Sequence, residues 1–260
     1  TIGKRGQGPG EYREVYDMIV DESKNQVRLL SPFGSLYTYD LEGNFIKQNQ
    51  LPEKSNYQAM EQIGDNIMTW TIPVSSDEPC ITIVNADNGK EVSSLWKGPR
   101  ILNSLSGGSF YTYDGKTYFA PAFHNNEILE ITEDSLKLAY KWDFGKDNID
   151  ISKYTFTLTD DNQAEEGRLM TDYLGNGTIP YLLGSQYQNS KYFYVCFSYG
   201  WFPNQTIKHL FYLKSDGKSF FFKDTQENIS IRPQAFEEEC IVQFASYDDL
   251  EAYKSILSPA

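Results

Sequence analysis

Hydrophobic and polar residues alternate along most of this chain in short runs, and the runs come in pairs joined by polar turns. Tyr37-Thr38-Tyr39-Asp40 leads through Leu41-Glu42-Gly43-Asn44 into Phe45-Ile46. Ile81-Thr82-Ile83-Val84-Asn85 leads through Ala86-Asp87-Asn88-Gly89 into Lys90-Glu91-Val92. Ile128-Leu129-Glu130-Ile131 and Leu210-Phe211-Tyr212-Leu213 open two further copies, turning at Glu133-Asp134-Ser135 and Ser215-Asp216-Gly217. Period-two alternation marks half-buried strands, and the polar turn between two such runs marks a hairpin. Gly43, Gly89 and Ser135 stand 46 residues apart, and Gly217 follows after 82, one period plus an excess of 36. A strand-only repeat of roughly 40 to 50 residues is the signature of a β-propeller blade.

On this reading each blade has four antiparallel strands, a to d from the channel outward. The first blade runs Tyr16–Asp21, Gln26–Leu30, Ser35–Asp40 and Asn44–Gln48. The second spans about Tyr57 to Trp96, with Ile67–Ile72 and Cys80–Asn85 as its middle strands. The third spans about Ser109 to Phe144, with Lys116–Ala120 and Glu127–Thr132 in the middle. The fourth spans about Tyr181 to Lys223, with Lys191–Ser198 and Lys208–Lys214 in the middle. Pro233–Ala245 reads as two strands of another blade, and Thr1–Arg5 as the outer strand of one lying upstream. That makes four complete blades and two partial ones, in a single all-β domain over residues 1–260 truncated at both ends. The partial blades either complete each other, giving five, or are the clipped ends of six. The excess falls at about 145–180 and reads as an acidic loop or short helix. The best helical pattern is Asp248–Leu257, with Ser246 or Asp248 as its N-cap.

Aromatic residues make up 15% of the chain, with 19 Tyr and 16 Phe, which suits pleated half-buried strands. The net charge of −13 excludes nucleic acid and anionic membrane surfaces as expected partners, because both demand concentrated Lys and Arg. No apolar stretch reaches membrane-span length. Cys80, Cys196 and Cys240 are an odd set without a CxxC pair, so no full disulfide framework forms within one chain, although one bridge among the three stays open. Cys196 lies inside a strand-like run and reads as a small buried hydrophobe. The chain starts without Met, inside a strand-like run, and reads as a trimmed piece.

Ile2-Gly3-Lys4-Arg5-Gly6-Gln7-Gly8-Pro9-Gly10-Glu11-Tyr12 closely resembles the GRKGQGPGEY signature of the six-bladed, NHL-like β-propeller proteins abundant in gut Bacteroidetes. Tyr39–Lys47 resembles that family's YDLEGNFIK turn, and Phe123–Ile128 its F-x-N-x-I-Y turn, with Leu129 in place of the usual Tyr. The likeness is strong over residues 1–52 and collinear to about residue 250. It implies one more blade upstream behind a secretion or lipoprotein signal, and a closing strand downstream. It therefore implies export to the cell envelope, periplasmic or extracellular, with lipid anchoring through a missing N-terminus as an option. It brings no established activity and no catalytic residues. Physically, the Gly6-Gln7-Gly8-Pro9-Gly10 run reads as a connector from rim to channel, echoed at Gly98-Pro99-Arg100. A phosphate-cradling loop is the sharper alternative, but a following helix and a suitably placed lysine are lacking.

Ligands of propellers usually bind where the b-to-c and d-to-a connections emerge. The candidate ligand-binding residues there are Trp201, Phe202, Tyr199, His124, Arg100, Tyr12 and Arg13. Aromatic rings among charges suit stacking on a sugar or gripping a peptide. Of the two histidines, His209 reads as a half-exposed strand residue, and His124 as a turn residue or a ligand. No cofactor is expected. Calcium in the channel is the one metal to consider, yet the Asp/Gly pairs are explained by hairpin turns and no EF-hand spacing occurs. No GxSxG motif supports a serine nucleophile. Asn176, Asn204 and Asn228 open glycosylation sequons, which the suspected source would not use. The leading expectation is a non-catalytic exported propeller that presents its loop face to a glycan, peptide or protein. The alternatives are an NHL or lactonase-like enzyme with a channel metal, and a structural part of a surface nutrient-capture assembly.

Overall fold

The computed structural model describes residues 2–54, 56–72, 78–96, 108–121, 126–148, 168, 171–172, 175, 177–178, 180–200, 203–226, 229, 231, 233, 235–238, 240–243 and 246–254. The chain divides into two compact units, one formed by Thr1–Trp142 with Asp150–Gly167, the other by Asp143–Ile149 with Arg168–Ala260.

The first unit holds three four-stranded antiparallel meanders. Its first blade is Asp17–Asp21 (β3), Gln26–Leu30 (β4), Ser35–Asp40 (β5) and Phe45–Gln50 (β6), after a short ribbon of Lys4–Arg5 (β1) and Glu11–Tyr12 (β2). The second blade is Tyr57–Ile63 (β7), Asn66–Thr71 (β8), Ile81–Asn85 (β9) and Glu91–Trp96 (β10). The third is Gly108–Tyr113 (β11), Lys116–Pro121 (β12), Glu127–Ile131 (β13) and Leu136–Lys141 (β14). These bounds fall within a few residues of those expected from alternation.

Burial explains the pattern. The middle strands β4, β5, β8 and β9 are buried on both faces, whereas the outer strand β6 is mostly exposed. Blades pack face to face, so both faces of a middle strand are covered, polar side chains such as Arg28, Thr38, Thr69 and Thr82 included. Leu30 and Leu36 meet Met60, Ile67 and Val84 between the first two blades. Met68, Trp70 and Ile81 meet Phe119 and Ile131 between the second and third. Inner strand β7 lies beside both β3 and β11.

The outward face of blade one is covered by the N-terminal segment. Ile2, Tyr12 and Val15 pack against Val27, Leu29, Tyr37 and Tyr39. The alternation pattern did not anticipate this ribbon, in which β1 pairs in parallel with β2. Glu11 causes the fold-back: its carboxylate accepts from Gly8 N at 2.9 Å and pairs with Lys4 at 2.8 Å. Gly6 N donates to Tyr12 O at 2.9 Å. The Gly8 amide that a phosphate would use is thus already taken by a carboxylate. Gly10 has φ +70°, and a Cβ there would sit 2.5 Å from the Phe45 ring, so only glycine lets the loop lie on blade one.

The second unit holds a fourth meander of Tyr181–Gln188 (β15), Tyr192–Tyr199 (β16), Thr206–Leu213 (β17) and Ser219–Phe222 (β18). A ribbon of Ala235–Phe236 (β19) and Ile241–Val242 (β20) follows, where two strands of a further blade are expected, and β19 lies beside β15. Tyr247–Tyr253 (α1) is the one expected helix, shorter than its pattern, with Ser246 as N-cap in a capping box with Asp249. The fold is all-β, a β-propeller with four complete blades among the described residues. Most of the expected insertion at about 145–180 lies outside the described residues.

Candidate functional site

The loop end of the fourth blade gathers rings and charge. Antiparallel register sets Phe197 of β16 opposite Lys208 of β17, and Tyr199 follows on the same face two residues along. Phe221 of β18 pairs with Leu210, again on that face. Lys208 Nζ therefore stands 4.5 Å from the centre of the Tyr199 ring and 4.9 Å from that of Phe221. Beneath them Phe197 is fully buried, 5.3 Å from Phe221, 5.8 Å from Tyr199 and 5.2 Å from Phe144. Phe221 itself is 51% exposed. Phe144 leads into a short 3-10 turn, Gly145–Asp147. Burial raises the Tyr199 phenol above its ordinary value, and the Asp147 charge adds to the rise.

The b-to-c loop beside this cluster is pinned at its ends. Gly200 has φ +71° and its carbonyl accepts from Tyr181 Oη at 2.7 Å. Gln205 Nε2 donates to the same hydroxyl at 2.9 Å. Trp201 and Phe202 belong to this loop but lie outside the described residues, as do His124 and Arg100.

Tyr12 and Arg13 belong to the first unit. Tyr12 packs edge-on against Tyr37 at 6.4 Å, within the cluster that covers blade one, and Arg13 donates to Gln7 Oε1 at 3.2 Å. Of the seven candidates, the structure describes Tyr199, Tyr12 and Arg13, and it joins Tyr199 to Lys208, Phe197 and Phe221, which sequence reasoning missed. The signal was present in the hairpin: six residues separate Tyr199 from Thr206, and counting back across that turn sets Lys208 opposite Phe197.

The opposite face of blade four corrects one expectation. His209 is buried rather than half exposed. Tyr194 Oη lies 3.0 Å from its Nδ1, and it stacks on Phe222 at 5.4 Å because β18 covers it. Burial lowers the imidazole, against the pull of Asp224. Cys196, on the same face, is buried as expected, and so is Cys80, whereas Cys240 is exposed.

In the first unit two carboxylates stand on neighbouring inner strands. Asp17 accepts from Met60 N at 2.7 Å and Met18 N at 2.8 Å, yet burial still holds it above the usual carboxylate range. Burial also raises Glu61, with the Asp17 charge adding to the effect. Among the described residues no group of three or more His, Cys, Asp or Glu is placed to hold a metal ion. Among them too, no helix is long and apolar enough to cross a membrane.

Residues 1–257 match the family described as a domain of unknown function, DUF4934, and the chain belongs to that family. No curated protein matches it. A candidate exported protein of Bacteroides fragilis NCTC 9343 has a similar crystal structure, with a TM-score of 0.60 at 15% identity. The match covers 85% of this chain and 61% of that one, so this chain spans less than two thirds of that protein's length. BamB from Moraxella catarrhalis matches with a TM-score of 0.46 at 11% identity, over 81% of this chain and 54% of that one. A protein of unknown function from Bacteroides caccae matches with 0.41 at 10% identity, over 81% and 61%. At such identities the Bacteroides fragilis likeness shows the fold, and the two weaker ones carry no argument.

Proposed function

We propose that this chain is a binding protein without chemistry of its own, one six-bladed NHL-like propeller domain exported to the bacterial envelope, which holds a glycan, peptide or protein at the loop end of its fourth blade. One observation carries the reading: an ammonium seated against two aromatic rings over a buried third, beside a loop pinned at both ends. Rings held rigidly by a sheet present contact area at little entropic cost, which is what a recognition surface needs. The similar fold of the Bacteroides fragilis protein described as exported supports the envelope location, and the choice of partner is left to the site.

The test is a combined glycan and peptide array, probed with the wild-type chain and with Phe221→Ala. Phe221 is half exposed and carries little of the core, so the variant keeps its melting temperature. The expected result is a set of hits that weakens in the variant. Hits that persist unchanged in Phe221→Ala, or turnover of any bound probe, would remove the reading.

A further inference from the structure

The strands that follow blade four make only the inner half of a blade among the described residues. β19 lies beside β15, as β7 lies beside β3 and β11, so the ribbon β19–β20 stands where a first and second strand belong. Its turn is fixed to the matching turn of blade four: Asn189 Nδ2 donates to Glu237 O at 2.9 Å and Ser190 Oγ to Glu238 O at 3.3 Å. In each complete blade a third strand follows the second after a loop, as Ile81 follows Thr71. After Val242 the chain enters α1 at Tyr247 instead. The other short ribbon, β1–β2, belongs to the segment whose Ile2 and Tyr12 pack on blade one.

The missing third strand leaves an edge and a face. Glu237 N donates to Cys240 O at 3.0 Å, so Phe236 and Ile241 form the next pair, one without hydrogen bonds between its members. Ile241 therefore turns its N–H and C=O to the outer edge of β20, where no strand lies among the described residues. Unpaired edges recruit strands. The face is clearest beside the seams of the first unit. There Val84 of β9 covers blade one, and Ile131 of β13 covers blade two. Outer strands reach the following turn as well: Lys47 and Asn49 donate to Asp87 O, and Ser93 to Glu133 O. Blade four has an apolar outer strand, Ser-Phe-Phe-Phe, and beside it a groove of about 640 Å³ lined by Tyr192, Phe211, Leu213, Phe220, Phe222 and Ile241. Phe220 is 51% and Ile241 40% exposed. Phe220 and Phe221 point to opposite faces of β18, so this groove is separate from the loop-end cluster.

We infer that the groove seats a β-hairpin of a partner polypeptide, whose first strand pairs with β20 through Ile241 and whose apolar side covers Phe211, Phe220 and Phe222. The matching partner has two strands of about five or six residues, the lengths of the third and fourth strands in blades one to three, with apolar residues at alternate positions. A sugar or an acyl chain would use the rings and leave the edge of β20 unpaired; a strand satisfies both.

The experiment begins with amide exchange of the full chain alone. The Ile241 amide should exchange fast, and slow exchange would mean that the seat is already filled, which overturns the inference. The probe is then a displayed library of hairpins of about 16 residues, the length of Ile81–Trp96, built on an Asn-Gly turn with apolar residues at alternate positions. Selected hairpins should slow exchange at Ile241. They should bind Phe220→Asp about tenfold more weakly, and Phe221→Ala unchanged. Ile241→Pro removes the outward N–H and keeps the bonds to β19, so it should lose about tenfold where Ile241→Ala loses less. Equal affinity for the proline and alanine variants overturns strand pairing. Hairpins indifferent to Phe220→Asp, hairpins lost with Phe221→Ala instead, or a library without binders overturn the seat itself.

Discussion

Arg28 is fully buried in the first unit, and its removal tests how the blades are held together. Its Nη1 donates to Asp21 Oδ2 at 2.9 Å and to Gln62 Oε1 on the next blade at 3.0 Å, and its Nη2 to Gln26 Oε1 at 3.3 Å. Asp21 is 5% exposed. Burial works to raise its carboxyl, but bonds from Ser23, Arg28 and Lys24 N outweigh it and hold it below the usual carboxylate range. Arg28→Met keeps the stem volume and deletes the charge, leaving a buried carboxylate without its cation. Breaking a buried pair costs about 3–5 kcal/mol, and the bonds Asp21 keeps to Ser23 and Lys24 place this case at about 3 kcal/mol. With a urea slope near 3 kcal/mol/M for a chain of this size, the midpoint should fall by roughly 1 M. The assay is tryptophan fluorescence, since Trp70, Trp96 and Trp142 all lie in this unit. Asp21→Asn should also destabilise, and the double variant should lose less than the sum. The carboxyl is depressed in the folded state, so its contribution is present above the unfolded value of about 4 and is lost as pH falls through the folded value. The gap between wild type and Asp21→Asn should stay constant from about pH 7 to 5 and narrow only below about pH 4. A midpoint for Arg28→Met within about 0.3 M of wild type would refute the reasoning, since the pair would then be worth no more than a surface one.

Three further outcomes are expected. Gly10→Ala forces a Cβ against Phe45 at positive φ and should cost about 1–3 kcal/mol in the same urea assay, with Gly115→Ala, which meets nothing within 4 Å, costing less. Ser246→Ala removes the hydroxyl that accepts from Asp249 N while keeping the backbone bond from Ser246 N to the Asp249 carboxylate, and should cost the α1 helix about 1 kcal/mol, read as faster amide exchange over residues 247–253 with blade four unchanged. The folded-state imidazole of His209 titrates below its unfolded value, so the unfolded chain binds the extra proton first and stability falls as pH drops through about 6.5. His209→Phe should flatten that decline between about pH 7 and 5, and a decline of unchanged slope would show that another group causes it.

Hairpins were the most legible level of this chain. Asp-Asn-Gly at 87–89 and Asp-Gly at 216–217 permit little besides a turn, and alternation on either side then fixes which residues share a face. The middle strands were legible for the same reason, although their burial on both faces reflects neighbouring blades rather than anything local. The N-terminal ribbon was not legible, because its shape depends on the Glu11 carboxylate reaching back to Gly8 and Lys4 while Tyr12 seats against Tyr37. His209 was misjudged because alternation gives the face but not what covers it, and what covers it is Phe222 from the following strand.

The candidate site shows the same division at the level of charge. A whole-chain net of −13 argues against anionic partners only if charge is spread evenly, and the blade repeat is the natural interval over which to ask. Summed by blade, the first three carry −9 and the fourth +3, and the connecting and terminal segments supply the remaining −7. Lys214 is held by Gln188 and Lys218 pairs with Asp216 at an exposed turn, whereas Lys208 meets aromatic faces. Aromatic faces do not discharge a cation; they hold it in place while leaving it charged. A propeller can vary such a position freely, since the outer end of a middle strand adds little to the packing that keeps the blades together.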